Sequence, residues 1–134
     1  MDESIKVLIV DDSNIFCERL VKMLADLKGV SIIGLTGSAA GASHLSAKHQ
    51  PDVITLDLQL ADGSGIEVLR EVKASRPATS VIVLTNHTGL VFKEMCERHS
   101  ADFFFDKATE LEKVREVLLK LTGRGAARRS FLER

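Results

Sequence analysis

The stretch VLIVDDS, residues 7–13, decides the fold class of this 134-residue chain. Its four consecutive apolar residues are typical of a strand that is buried on both faces, as in a parallel sheet. Two adjacent carboxylates, Asp11 and Asp12, follow the strand, and like charges side by side repel each other. A helix cap needs only one side chain, so the pair indicates a use beyond capping.

The composition is that of a globular domain. Apolar residues make up 45% of the chain and charged residues 28%, which suits one domain with a sizeable core. No apolar run approaches the about 20 residues of a membrane span, and no signal-peptide pattern precedes the first strand. We therefore expect a cytoplasmic protein without membrane contact. Cys17 and Cys96 have no CxxC spacing, which predicts reduced structural thiols.

The charge is unevenly distributed along the chain. Residues 122–134 carry four arginines and one glutamate, so the net charge of −1 leaves about −4 on the rest. We predict a domain over residues 4–121 and a basic C-terminal tail or linker over 122–134, and such tails are usually solvated and disordered. The acidic body argues against nucleic-acid binding by the domain itself.

Apolar runs alternate with helical patterns along the chain. Strands are predicted at Ile5–Val10, Val30–Leu35, Val53–Asp57, Val81–Thr85 and Phe103–Phe105. The helices between them are predicted from Phe16 towards Gly29, over Ser38–His49, from a capping box at Ser64 to Ser75, from Thr88 to His99, and from a capping box at Thr109 to Leu121. Five such units predict an α/β fold, with a parallel sheet covered by helices on both faces.

Chemistry-bearing residues stand where the predicted strands end. In parallel α/β sheets the ligand site lies beyond the carboxyl ends of the strands. Several carboxylates at one place suit a hard divalent cation, of which Mg²⁺ is the first choice. A carboxylate nucleophile, a metal and an ammonium group are also the parts needed for phosphoryl transfer. The residues at these strand ends are Asp11, Asp12, Asp57, Thr85 and Lys107.

Four motifs in combination resemble the receiver domain of bacterial two-component response regulators, over about residues 4–121. They are the acidic pair, DLQLADGSG around Asp57, VLTN at strand four and FFFDK at strand five. The resemblance implies a flavodoxin-like, doubly wound, three-layer α/β/α fold, with five parallel strands in the order 2-1-3-4-5 and five helices. It also implies a signalling module of a phosphorelay, in a stand-alone form like the chemotaxis receivers.

The resemblance assigns roles at the predicted metal site. Asp57 would accept a phosphoryl group from a sensor histidine kinase or a phosphotransfer protein. Asp12 and Asp57 would bind Mg²⁺ directly, together with the backbone carbonyl of Gln59, and Asp11 would contribute through water. Gly65 matches the family's glycine eight places after the acceptor.

The resemblance also implies a switch. Thr85 and Lys107 would contact the phosphoryl group, Thr85 would move inward, and Phe104 would swing into the vacated space. The surface of helix 4, strand 5 and helix 5 would then change its contacts with a downstream effector protein. From pattern alone, Phe104 is equally well a core residue.

Several residues depart from the family's pattern. Ala108 follows the lysine and Ala61 stands four places after the acceptor, where receivers often carry proline. Asn86 replaces the usual Ala or Gly after the threonine and could narrow access to the site. Gln59 and His87 occupy the positions that tune the lifetime of the phosphoryl group, and neither is acidic.

Other functions stay open beside a stand-alone receiver, which a chain starting at Met1 favours. The chain could be a phosphorylation-independent interaction domain, or the receiver of a longer regulator with a DNA-binding output domain. A haloacid-dehalogenase-type phosphatase is disfavoured, because it needs an aspartate two residues after the nucleophile and Gln59 stands there. We thus expect a signalling protein and not an enzyme acting on other substrates, either monomeric or dimerising on phosphorylation.

Overall fold

The structure, a computed structural model, describes residues 4–132, with side chains up to residue 123. The strands of the main sheet are β1 (Ile5–Val10), β2 (Val30–Thr36), β3 (Val53–Leu56), β4 (Ser80–Thr85) and β5 (Phe103–Asp106). The helices are α1 (Asn14–Leu24), α2 (Ala39–His49), α3 (Gly65–Ser75), α4 (Leu90–Arg98) and α5 (Leu111–Leu132). From residue 124 on, the predicted basic tail lies outside the described side chains, and its boundary stays a prediction. No helix within residues 4–132 is both long and apolar enough to cross a membrane.

The five strands form one parallel sheet in the order β2-β1-β3-β4-β5. This confirms the predicted doubly wound α/β fold. Alternate residues of each strand point to opposite faces, so Val7 and Ile9 pack under α1 and α5 while Leu8 and Val10 pack under α2, α3 and α4. Both faces are therefore covered, which is why residues 7–10 of β1 are all apolar and buried.

The strand order reverses between β1 and β3, and this reversal positions the site. One crossover leads from β1 outward to β2, and later connections lead from β3 towards β5. The loops that follow β1 and β3 therefore diverge to opposite faces of the sheet and leave a crevice at its carboxyl edge.

Two predicted helix caps are wrong. Gly89, not Thr88, is the N-cap of α4, and no side chain caps this helix. Thr109 does not cap α5, because the helix begins at Leu111 and the Glu110 carboxylate instead accepts a hydrogen bond from the Asp106 N–H. In both cases, residues that the sequence pattern assigns to the helix lie in the loop between the preceding strand and that helix.

Helix α1 also ends earlier than predicted, and α3 has the predicted bounds but only half of the predicted capping box. Helix α1 stops at Leu24, where a Leu27 N–H to Leu24 carbonyl bond closes the last turn, so Gly29 lies in the following turn with φ 83°. At α3 the Ser64 hydroxyl caps the helix by accepting from the Ile66 N–H. In a full capping box the Glu67 carboxylate would also accept a hydrogen bond from the Ser64 N–H. Here the Glu67 carboxylate pairs with Arg70 instead.

A short antiparallel hairpin after β3, Gln59–Leu60 with Gly63–Ser64, is absent from the sequence prediction. The carboxylate of Asp62 in its turn accepts hydrogen bonds from the N–H groups of Ala39 and Ala40, the first residues of α2. These bonds lower the pKa of Asp62, as expected for an acid at a helix N-terminus. The hairpin that follows Asp57 is thereby fastened to α2.

Two buried threonines differ in hydrogen bonding, and we expect the same substitution to change the free energy of unfolding in opposite directions at the two positions. The Thr55 hydroxyl, in β3, has no hydrogen-bond partner among the described residues, whereas the Thr79 hydroxyl donates to the Pro51 carbonyl at 3.0 Å. Valine removes the hydroxyl and keeps the shape. We expect Thr55→Val to raise the free energy of unfolding by about 1 kcal/mol and Thr79→Val to lower it by a similar amount.

The measurement is urea unfolding followed by circular dichroism, since the chain has no Trp or Tyr. Thr79→Val is the matched control. Equal destabilisation by both substitutions would contradict the prediction and would mean that the Thr55 hydroxyl is satisfied, for example by a water molecule.

Candidate functional site

Backbone pairing brings two carboxylates side by side at the carboxyl edge of the sheet. The Asp11 N–H donates to the Thr36 carbonyl and the Asp57 N–H donates to the Val10 carbonyl, each at 2.9 Å. The parallel pairing thus continues one residue beyond β1 and β3. Asp11 and Asp57 are buried, and Asp12 beside them is exposed. Their carboxylate oxygens, one from each residue, lie within 4.8 Å of one another.

Lys107 follows β5, and its side chain extends to these three carboxylates. Its backbone N–H donates to the Thr85 carbonyl, so the pairing of β4 and β5 places Lys107 at the same carboxyl edge of the sheet. Its Nζ lies 2.7 Å from Asp11 Oδ2 and 2.9 Å from Asp57 Oδ2. The ammonium also sits 4.5 Å from the ring centre of Phe16, which supplies a cation–π contact.

The pKa values reflect burial and this ion pair. Burial alone would lower the pKa of Lys107, but its hydrogen bonds to Asp11 and Asp57 and their charges raise it above its ordinary value. Burial raises the pKa of Asp11, and hydrogen bonds from Lys107 and the Ser13 N–H partly offset that rise. The raised pKa of Asp11 favours its neutral form, whereas the raised pKa of Lys107 reflects an ion pair in which Asp11 is charged. The ion pair is the better guide to its charge, because a neutral Asp11 would leave the buried ammonium facing Asp57 alone.

The charges in this cluster do not balance. Three carboxylates face one ammonium group among the described side chains, and this leaves two negative charges in a partly buried crevice. A divalent cation would neutralise them, and carboxylate oxygens are the donors that hard cations prefer. The donor set therefore fits a dication of the Mg²⁺ type.

The predicted switch residues lie on one face of the sheet. Thr85 is fully buried, and its hydroxyl accepts a hydrogen bond from the His87 N–H at 3.1 Å. Phe104 pairs with Val83 across β4 and β5 and packs into the core beneath α2, α3 and α4. Phe105 packs into the opposite core. The switching roles of Thr85 and Phe104 stay predictions.

A second contact crosses the mouth of the site. The Gln59 side chain Oε1 lies 2.8 Å from His87 Nε2, and the His87 ring packs against the ring of Phe92 with 5.3 Å between centroids. From the sequence, His87 is expected near the site, but neither contact is predicted. The bond to Gln59 has no sequence signal, because the two residues are 28 positions apart. Asn86 beside them is exposed.

Gly65 lies against the backbone of the acceptor. Its N–H donates to the Leu58 carbonyl at 2.8 Å. A Cβ at this position would stand 2.1 Å from the Asp57 carbonyl oxygen and 2.8 Å from the Leu58 Cα. Such distances are far below van der Waals contact, so only glycine lets α3 begin this close to Asp57.

Comparison with known proteins agrees with this geometry. The family model of the response regulator receiver domain matches residues 7–119. A protein-glutamate methylesterase/protein-glutamine glutaminase of Idiomarina loihiensis is 29% identical over 119 residues, which cover 87% of this chain and 31% of the relative. The transcriptional regulatory protein MalR of Bacillus subtilis is 30% identical over 114 residues, which cover 85% of this chain and 48% of the relative. The chain thus spans less than half the length of these curated relatives.

Solved structures show the same fold. The response regulator domain of Thermotoga maritima CheB has 25% identity and a TM-score of 0.77, and the match covers 90% of this chain and 95% of that domain. The CheX–CheY–BeF3–Mg complex of Borrelia burgdorferi matches with 24% identity and a TM-score of 0.78 over 87% of each chain. With buried carboxylates and a lysine meeting at the carboxyl edge of a doubly wound sheet, and a family match across residues 7–119, this chain belongs to the response regulator receiver domains of two-component signalling.

Proposed function

We propose that this domain is a phosphorylation-controlled receiver in which Asp57 accepts a phosphoryl group from a sensor histidine kinase or a phosphotransfer protein. One observation carries the proposal: the Lys107 Nζ bridges Asp11 and Asp57 at 2.7 and 2.9 Å in a cluster that keeps an excess of negative charge. A buried carboxylate beside a positive charge and a cation site has the surroundings that phosphoryl transfer requires.

Mg²⁺ is the cofactor that this donor set fits. Asp12, Asp57 and the backbone carbonyl of Gln59 would hold it, with Asp11 contributing through water. When bound, the ion supplies positive charge that offsets the charge of the transferring phosphoryl group. The exposed Asp12 and the buried Asp11 and Asp57 support this assignment, because together they offer oxygen donors and an opening to solvent.

The chain's own residues supply the remaining chemistry. An Asp57 carboxylate oxygen attacks the phosphorus, a P–O bond forms, and the bond from phosphorus to the donor breaks so that the donor leaves with its electron pair. The Lys107 ammonium, 2.9 Å from Asp57, is placed to hydrogen-bond the incoming phosphoryl oxygens. The Thr85 hydroxyl accepts from the His87 N–H, so its own hydrogen is free to donate to a phosphoryl oxygen.

The proposed output surface consists of α4, β5 and α5. Large apolar side chains on these elements are exposed in the unphosphorylated chain, as expected for a surface that meets a partner. We propose that phosphorylation changes this surface through Thr85 and Phe104 and so regulates a downstream effector protein, with the domain either monomeric or dimerising on phosphorylation. The exposed apolar residues are Leu90, Val91, Phe92, Phe103 and Leu119.

The setting of the domain is part of the proposal. The curated relatives are more than twice as long as the matched segment, which supports a receiver that controls an output domain as a second candidate beside a stand-alone receiver. We assign the domain to the cytoplasm on the resemblance to two-component receivers, and we propose that it catalyses only its own phosphorylation and dephosphorylation.

The decisive experiment is an intact-mass measurement after incubation with Mg²⁺ and acetyl phosphate or phosphoramidate. We expect a phosphate adduct on the wild type and none on Asp57→Ala. Asp26→Ala is the matched control, because Asp26 is exposed and only a 3.9 Å contact joins it to Arg115, and it should be phosphorylated normally.

Two results would contradict the proposal. An adduct that persists on Asp57→Ala would reassign the acceptor. A folded wild type that takes up no phosphate from either small donor or from a panel of purified histidine kinases would favour a phosphorylation-independent interaction domain.

A further inference from the structure

Asp62 joins the hairpin that follows the acceptor to the start of α2. Its two carboxylate oxygens accept hydrogen bonds from the N–H groups of Ala39 and Ala40, at 2.5 and 3.1 Å. The neighbouring Ala61 N–H donates to the Gly37 carbonyl at 3.1 Å. A proline at position 61 has no N–H and could not make this bond. Three hydrogen bonds therefore hold the hairpin against the loop between β2 and α2.

The start of α2 is a firm support for these bonds. The Ser38 hydroxyl caps the helix by accepting from the Gly41 N–H at 2.9 Å. Ala42 is fully buried, and Ala39 packs against the core beneath α2, α3 and α4. Residues 61–64 of the hairpin, in contrast, are all exposed, so burial contributes little to their position. The turn of the hairpin depends on its bonds to α2.

The same loop lies against the backbone of Asp12, one of the proposed cation ligands. A Cβ at Gly37 would stand 3.0 Å from the Asp12 Cα and 3.2 Å from the Asp12 Cβ. The hairpin begins at Gln59, whose backbone carbonyl is another proposed ligand and whose N–H donates to Asp57 Oδ1 at 3.4 Å. The segments that carry Asp12 and Gln59 thus both rest on the loop between β2 and α2.

We propose that Asp62 is a positioning residue for the cation site: by holding the hairpin on α2, its carboxylate fixes the distance between Asp12 and the Gln59 carbonyl. The inference rests on the proposed function, in which both groups hold Mg²⁺. Residues that orient a metal ligand without touching the ion strengthen metal binding. Loss of the bonds to Ala39 and Ala40 lets the hairpin move away from Asp12, so the site binds Mg²⁺ more weakly.

The first test follows amide hydrogen exchange in the unphosphorylated protein. We expect Asp62→Ala to speed exchange at Ala61 roughly tenfold, because the bond from Ala61 to the Gly37 carbonyl opens once the carboxylate no longer holds the turn. Asp52→Ala is the matched control, since the Asp52 carboxylate accepts from the Lys6 N–H at 2.8 Å just before β3, at the other edge of the sheet. It should leave Ala61 unchanged. Wild-type exchange at Ala61 in Asp62→Ala would overturn the role of Asp62.

The second test is a Mg²⁺ titration of the unphosphorylated protein, followed by NMR of the backbone amides of residues 57–65. Asp62→Ala should weaken Mg²⁺ binding roughly tenfold, the lower end of the range for residues that support a metal ligand. Asp62→Asn loses the charge but keeps an oxygen that accepts from a helix N–H, so it should bind within about twofold of the wild type. Asp52→Ala should bind like the wild type.

Two results of the titration would overturn the inference. Wild-type affinity in Asp62→Ala would show that the hairpin needs no such support. Equal weakening in Asp62→Ala and Asp62→Asn would assign the effect to the lost charge and not to the hydrogen bonds.

The titration also separates this inference from the proposed function. If the wild type binds Mg²⁺ but takes up no phosphate, the proposed function fails and the affinities still decide the role of Asp62. If the wild type binds Mg²⁺ and is phosphorylated while Asp62→Ala binds Mg²⁺ equally well, only the inference about Asp62 fails. A wild type that binds no Mg²⁺ would overturn both the cation site and the role of Asp62.

Discussion

We expect Lys107→Met to lower the free energy of unfolding by about 3 kcal/mol in metal-free buffer. The Lys107 Nζ neutralises Asp11 and Asp57, and all three side chains are at most 8% exposed. Methionine keeps much of the packing volume and removes the charge, so two buried carboxylates are left to repel each other. Urea unfolding followed by circular dichroism, with a chelator present, measures the loss.

Added Mg²⁺ should restore much of this loss. The ammonium neutralises Asp11 and Asp57, and a dication in this cluster would offset the same negative charge, so the stabilisation by Mg²⁺ should be larger in Lys107→Met than in the wild type. Lys73→Met is the matched control, because Lys73 pairs with Asp102 at 2.7 Å in a different part of the fold. That variant should lose stability without any extra response to Mg²⁺. An equal effect of Mg²⁺ on all three proteins would contradict a cation site at this cluster.

The second large effect is expected for Gly65→Ala. The new Cβ would meet the Asp57 carbonyl oxygen at 2.1 Å and the Leu58 Cα at 2.8 Å, and both are backbone atoms that cannot rotate away. Either α3 or the acceptor segment must shift, which we expect to cost about 3 kcal/mol, at the upper end for overpacking. The displaced Asp57 should also take up phosphate more slowly from acetyl phosphate.

Gly63→Ala is the control for this prediction. Gly63 lies two residues earlier, in the hairpin that precedes α3, and nothing stands within 4 Å of its Cβ position. This variant should therefore unfold at the wild-type urea concentration and accept phosphate normally. Equal stability of the two variants would show that the helix start tolerates a methyl group, and the requirement for glycine would be wrong.

The fold class and the core of the candidate site could be predicted from the amino-acid pattern. Strands covered on both faces are largely apolar, so residues 7–10 of β1 and 81–84 of β4 stand out as unbroken apolar runs, and β3 is apolar except for Thr55. The ends of parallel strands share one edge, so Asp11, Asp57 and Lys107 could be assigned to one crevice from their place after each run. These inferences need only local pattern and one rule of topology.

Contacts between segments that are distant in the sequence could be seen only in the folded chain. The caps predicted at Thr88 and Thr109 are wrong, because both residues lie in the loops that precede α4 and α5. The bond between Gln59 and His87 and the close approach of Gly65 to Asp57 have no local signal. A sequence pattern reports which face of an element is buried, whereas such distances depend on how the loops at the edge of the sheet pack against one another.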